Sequence, residues 1–158
     1  DLRDIMASME KKFRANPDIE DGTQDNANLK GITTQQRVET WLKSVPVGYA
    51  LTKLQQSLLD KTADNFLFLR YEDLCTSPEE VISEVYKYLK LDKYKHNYNH
   101  VEQVTEENDS LHGIHGDHTI RSRVQALPND SLKILGQQTY DWIYENNKGY
   151  FEIFNYSK

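Results

Sequence analysis

Only one stretch of this 158-residue chain reads as a β-strand, and it limits what the rest can build. Phe66-Leu67-Phe68-Leu69-Arg70-Tyr71 is short, nearly all apolar and rich in aromatic rings, with Asp64-Asn65 in front of it. An unbroken apolar run of this kind predicts a strand buried on both faces, as in a parallel sheet. A strand without neighbours leaves its backbone donors and acceptors unsatisfied, and the chain offers few candidates to pair with it. Left on an open edge, the same run would template association. The expectation is therefore a homodimer, or tight association with a missing N-terminal half.

Elsewhere the pattern is helical. Gly and Pro together number 11 (7 and 4), few for a chain of this length, so the backbone is rarely interrupted. Ile5, Met6, Met9 and Phe13 share one face, which predicts a helix from residue 3 to about 14, stopped at Asn16-Pro17. Residues 17–32 are acidic and polar and read as a loop. Thr33 and Gln36 have capping-box spacing ahead of the stripe Val38, Trp41, Leu42 and Val45. After Pro46, the stripe Val47, Leu51, Leu54 and Leu58 predicts a second half of one kinked or broken helical unit through Asp60.

Ser77-Pro78-Glu79-Glu80 reads as a capping box with Pro at the first helical position, and Val81, Ile82, Val85, Tyr88 and Leu89 are expected to face the core. Asn129 or Asp130 should cap a last helix that turns Leu132, Leu135, Thr139, Trp142 and Ile143 inward. Gly149 is expected to end it, and Tyr150, Phe151, Ile153, Phe154 and Tyr156 to pack back as an apolar tail. With 37% hydrophobic residues there is enough for one core, so residues 1–158 read as a single domain.

Charge narrows the function. The net charge is −6, and no basic run exceeds Lys11-Lys12, which excludes a protein that tracks nucleic acid through a basic face. A compact anion held by a few local donors remains open. No apolar run approaches the ~18–20 residues that a membrane span requires. The single Cys75 excludes an internal disulfide framework and fits a reducing, cytoplasmic setting. His112, His115 and His118 recur every third residue, with His96 and His100 upstream, but glycines break the triplet and no cysteine assists, so no metal is expected.

The segment from Phe66 through Tyr71-Glu72-Asp73-Leu74 to Ser77-Pro78-Glu79-Glu80-Val81 resembles the strand, loop and helix of the PAPS-dependent sulfotransferases (PAPS is 3′-phosphoadenosine 5′-phosphosulfate). Asp1-Leu-Arg-Asp-Ile-Met-Ala-Ser8 is similar to that family's Arg-Asp-Pro-Arg-Asp-x-x-x-Ser helix, whose first Arg and last Ser hold the cosubstrate's 3′-phosphate. His112-Gly-Ile-His-Gly-Asp-His118 resembles the Arg-Lys-Gly-x-x-Gly-Asp-Trp loop, and Asn147-Lys-Gly-Tyr150 the terminal Gly-Tyr.

The resemblance implies an α/β fold of P-loop-like sulfotransferase type, of which this chain would be the C-terminal portion: mostly helical, with one or two strands of the parallel sheet. It implies PAPS or its product PAP as the nucleotide, a hydroxyl or amine acceptor, and no metal. Residue by residue, Ser8 would donate to the 3′-phosphate, Tyr71 would lie against the adenine, and Gly113 would belong to the phosphate loop. Where the family often has Arg-Lys, this chain has Leu111-His112, so Arg121 is the expected guanidinium instead. The family's first Arg would precede Asp1, as would its lysine-bearing, glycine-rich 5′-phosphosulfate loop and its catalytic base. No catalytic residue is therefore expected here, and the chain alone should be inactive. The competing readings are a non-catalytic helical interaction module or decayed relative, and a His-rich metal-binding domain.

Overall fold

The computed structural model describes residues 1–16, 26–106 and 120–158. They divide into two compact units, residues 1–60 with 129–158, and residues 61–128.

The first unit is helical. α1 (Leu2–Ala15) starts where the Asp1 side chain accepts from the Arg3 backbone N–H, and it ends at Asn16. It buries Leu2, Met6, Ala7 and Phe13. Asn26–Leu29 forms a 3₁₀ turn that tucks in Leu29. α2 (Thr34–Lys43) opens on the expected capping box: Gln36 N–H donates to Thr33 Oγ1 (3.2 Å) and Thr33 N–H to Gln36 Oε1 (2.8 Å). Val38 and Trp41, three apart, bring their side chains into the core. α3 (Val47–Leu59) is a separate helix after the cis Val45–Pro46 bond.

The connection from α2 to α3 is tight enough to require glycine. A Cβ on Gly48 would stand 2.5 Å from the Lys43 carbonyl carbon and 2.7 Å from the Leu42 oxygen, and both are backbone atoms that cannot swing aside. Helix propensity alone favours alanine over glycine by about 1 kcal/mol. The clash reverses that sign, so Gly48→Ala is expected to destabilise by about 1–3 kcal/mol. Urea unfolding followed by tryptophan fluorescence checks it; a stabilised variant would refute the close approach.

The chain returns to this unit as α6 (Ser131–Leu135), α7 (Gln137–Asn146) and α8 (Lys148–Ile153). α1 packs on α6 and α7, and α2 packs on α1, α3 and α7. The one helix expected from residue 130 onward is three. Gly136 takes φ +76°, ψ 155°, a region that side chains avoid, and breaks the first from the second. Leu135, Thr139 and Ile143 are buried and Trp142 half-buried, whereas Leu132, in the same short helix as Leu135, is exposed. Gly149 lies inside α8 rather than ending a helix. The tail does pack back: Phe151 is fully buried, with Tyr150 and Tyr156 against the core, though Ile153 is exposed.

The second unit begins with a 3₁₀ turn (Thr62–Asn65), followed by α4 (Tyr71–Thr76) and α5 (Pro78–Leu89). Pro78 occupies the first turn as expected, but Ser77 at φ −135°, ψ 58° makes no side-chain cap. Of the face expected inside, Val81 is buried and Ile82 and Val85 are half-buried, whereas Tyr88 and Leu89 are exposed.

The strand expectation is corrected here in its surroundings. The backbone is extended at Phe66 (φ −115°, ψ 142°) and Arg70 (φ −87°, ψ 134°), but no β-strand occurs among the described residues, and Tyr71 is the first residue of α4. Phe66 and Phe68 are 51% and 44% exposed, far from burial on both faces. Local sequence sets an extended backbone; a strand also needs a neighbour to bond with. Beyond α5, Val101 N–H donates to Ser122 O and Val124 N–H to Tyr98 O, both at 2.8 Å, joining the two arms antiparallel.

Candidate functional site

Of the four residues singled out for nucleotide binding, the structure joins two. Tyr71 starts α4, and Cys75, one turn later, is the buried residue of that helix. The Tyr71 phenol hydrogen-bonds the Cys75 thiol and also meets the Arg121 side chain. The bond to Cys75 and partial burial push the phenol's pKa above its ordinary 10, and the Arg121 guanidinium pulls the other way without overcoming them. The phenol therefore stays protonated at neutral pH, able to donate and accept. Tyr71 as a whole remains 60% exposed. An anchored hydroxyl and an open ring beside a cation make a platform for a flat, negatively charged ligand.

Ser8 lies in the other unit, on the exposed side of α1, nearly opposite the stripe of Leu2, Met6, Glu10 and Phe13. Asp4 and Ile5 precede it by one turn, and Lys11 and Lys12 follow at i+3 and i+4, its neighbours on the helix surface. Lys11 Nζ is engaged 2.6 Å from Asp130 Oδ1. Gly113 and the triplet His112, His115 and His118 lie outside the described residues.

Glu72 and Asp73 sit in the first turn of α4 within 4.0 and 3.8 Å of Arg70. Among the described residues, no group of three or more His, Cys, Asp or Glu is placed to hold a metal ion. No helix among them is long and apolar enough to cross a membrane.

Two features escaped the sequence reading. Cys75 as the partner of Tyr71 was hidden because i, i+4 spacing has meaning only on a helix, and Tyr71 was expected to end a strand. The second is a carboxylate enclosed by cations on the inner face of α1. Glu10 is fully buried, and Arg37 grips it through Nε to Oε2 (2.8 Å) and Nη2 to Oε1 (2.7 Å). Arg14 Nε adds a third bond to Oε1 at 2.7 Å, and the Thr34 hydroxyl a fourth at 3.2 Å. The Arg37 guanidinium lies 4.4 Å over the Phe13 ring. This cluster clamps α1 to α2 and so fixes the helix that carries Ser8.

Compared with known families, residues 1–147 match the sulfotransferase domain. The chain belongs to the sulfotransferase domain family. No curated protein and no solved structure gives a significant match.

Proposed function

We propose that this chain supplies the 3′-phosphate and adenine side of PAPS binding in a sulfotransferase that moves a sulfuryl group to a hydroxyl or amine. Within that reading the fold is α/β of P-loop-like type, and the extended run Phe66–Arg70, which forms no β-strand among the described residues, is where a sheet partner would bond. The observation that supports it best is the joined pair Tyr71 and Arg121, in a chain of this family. Tyr71 offers its ring to the adenine, Arg121 its guanidinium to a phosphate, and Ser8 a small orientable donor to the 3′-phosphate. Gly113 belongs to the same phosphate loop by resemblance.

Sulfuryl transfer also requires charge neutralisation at the leaving oxygen and a base for the acceptor. No residues of this chain match the lysine-bearing loop or the base, so it is expected to bind nucleotide without turnover.

Calorimetric titration with adenosine 3′,5′-bisphosphate tests the reading. Binding is expected, with adenosine itself much weaker. Arg121→Ala should weaken affinity by roughly 10- to 100-fold, the loss of a charge-assisted bond, and Ser8→Ala by roughly 3- to 10-fold. Absence of heat at millimolar bisphosphate would overturn the proposal in favour of a non-catalytic interaction module.

A further inference from the structure

Residues 86–95, the end of α5 and the turn after it, gather Lys87, Lys90, Lys93 and Lys95 against the single acid Asp92, in a chain whose net charge is −6. All four lysines are exposed, and among the described residues none of them forms an ion pair. Between them stand large apolar side chains that are also open to solvent: Tyr88, Leu89, Leu91 and Tyr94, from 43% to 70% exposed.

The patch is built rather than frayed. α5 closes when Leu91 N–H donates to Tyr86 O (3.0 Å) and Lys90 N–H to Lys87 O (3.3 Å), with Lys90 in the left-handed region at φ +57°. The chain beyond is tied back by His96, whose Nε2 lies 2.9 Å from the Tyr86 hydroxyl. The His96 ring sits edge-on to Tyr94 with centroids 5.0 Å apart.

Unpaired ammonium groups call for an anion. A hydrated polyanion such as an acidic polysaccharide would satisfy them, yet would leave Leu89 and Leu91 in water. A bilayer with anionic headgroups satisfies both sets: lysines over the headgroups, tyrosines at the boundary where amphipathic rings settle, and the leucines in the first layer of acyl chain. We propose that residues 86–95 dock this unit on the surface of an anionic phospholipid bilayer.

Co-sedimentation of the chain with phosphatidylcholine vesicles, with and without phosphatidylserine, provides the test. The chain is expected to pellet with the phosphatidylserine vesicles only, and less so as salt is raised. Lys90→Glu with Lys93→Glu should lower partitioning by at least about fivefold per lysine. Leu89→Ser with Leu91→Ser should lower it by more than about tenfold. All four side chains are exposed, so thermal melting should hold in both variants, and either one alone suffices to judge. No sedimentation with phosphatidylserine vesicles would overturn the proposal. So would a leucine variant that binds like the parent while heparin displaces both, since that outcome marks a polyanion site.

Discussion

Glu10→Ala is expected to destabilise the first unit by about 3–5 kcal/mol, the cost of leaving a buried charge without its partner. Arg37 is the group stranded: its side chain is only 10% exposed, and it rests on Glu10, the Ile32 carbonyl and the Thr34 hydroxyl. Arg14 would suffer less, because its side chain is about half exposed and Nη2 keeps the Ile134 carbonyl at 3.0 Å. Replacing both members, Glu10→Leu with Arg37→Leu, should cost less than Glu10→Ala alone, since no orphaned charge remains. Urea unfolding reports this directly, because both tryptophans, Trp41 and Trp142, lie in this unit. A single mutant milder than the double would refute the enclosed-carboxylate account.

The same cluster sets the direction of a pH effect. Burial alone would raise the Glu10 carboxyl, but hydrogen bonds from Arg37 and Arg14, helped by their charges, outweigh it and hold it below its ordinary 4.5. A carboxyl with a folded pKa below its unfolded value lends stability fully above the unfolded value. That stability is lost as pH falls through the folded one. The melting temperature should therefore decline once pH drops below about 4.5, and this part of the decline should be missing in Glu10→Gln. Glu145, held down to about 2 by Lys148 and Lys158, acts in the same direction, but its pairs are exposed and screened by salt. Raising ionic strength should suppress the Glu145 share and leave that of Glu10.

What the sequence discloses here follows from how local each cause is. The α1 stripe and the Thr33–Gln36 box depend on residues within a turn or two, and both are as expected from spacing. The box at Ser77 and Glu80 has the same spacing but no cap bond, because the chain enters α5 straight from α4 and holds Ser77 at a dihedral unsuited to capping. Phe66–Leu69 carries the local signature of a strand, yet sheet formation depends on partners that no pattern within six residues can supply. Glu10 and Arg37 stand 27 residues apart, and nothing in either neighbourhood announces that one will bury the other. The candidate site divides in the same way: resemblance to a family named Tyr71 and Arg121, while their contact through the phenol is a property of the fold.

Phe151→Ala is expected to be the second large loss, about 3–5 kcal/mol, as for any large aromatic removed from a filled core. Phe151 is fully buried and touches the rings of Tyr144, Tyr150 and Tyr156 at centroid distances of 5.0, 5.6 and 6.2 Å. It also forms one wall for Arg3, whose guanidinium lies 4.9 Å from the Phe151 centroid and 4.6 Å from that of Tyr140. Arg3 uses Nε on the Asp1 carboxylate (3.0 Å) and Nη2 on the Ser157 carbonyl (2.8 Å), which ties the start of α1 to the C-terminal tail. Its Nη1 is buried and finds no acceptor among the described residues, so the aromatic walls are what compensates that nitrogen. Removing the Phe151 ring withdraws one wall and opens a cavity together. Phe151→Leu fills most of the volume without a π face, so it should cost roughly 1–2 kcal/mol, and combining it with Arg3→Met should be less than additive. Additive losses in urea unfolding would mean that Arg3 draws nothing from the ring. A loss below about 1 kcal/mol for Phe151→Ala would place the side chain outside the core altogether.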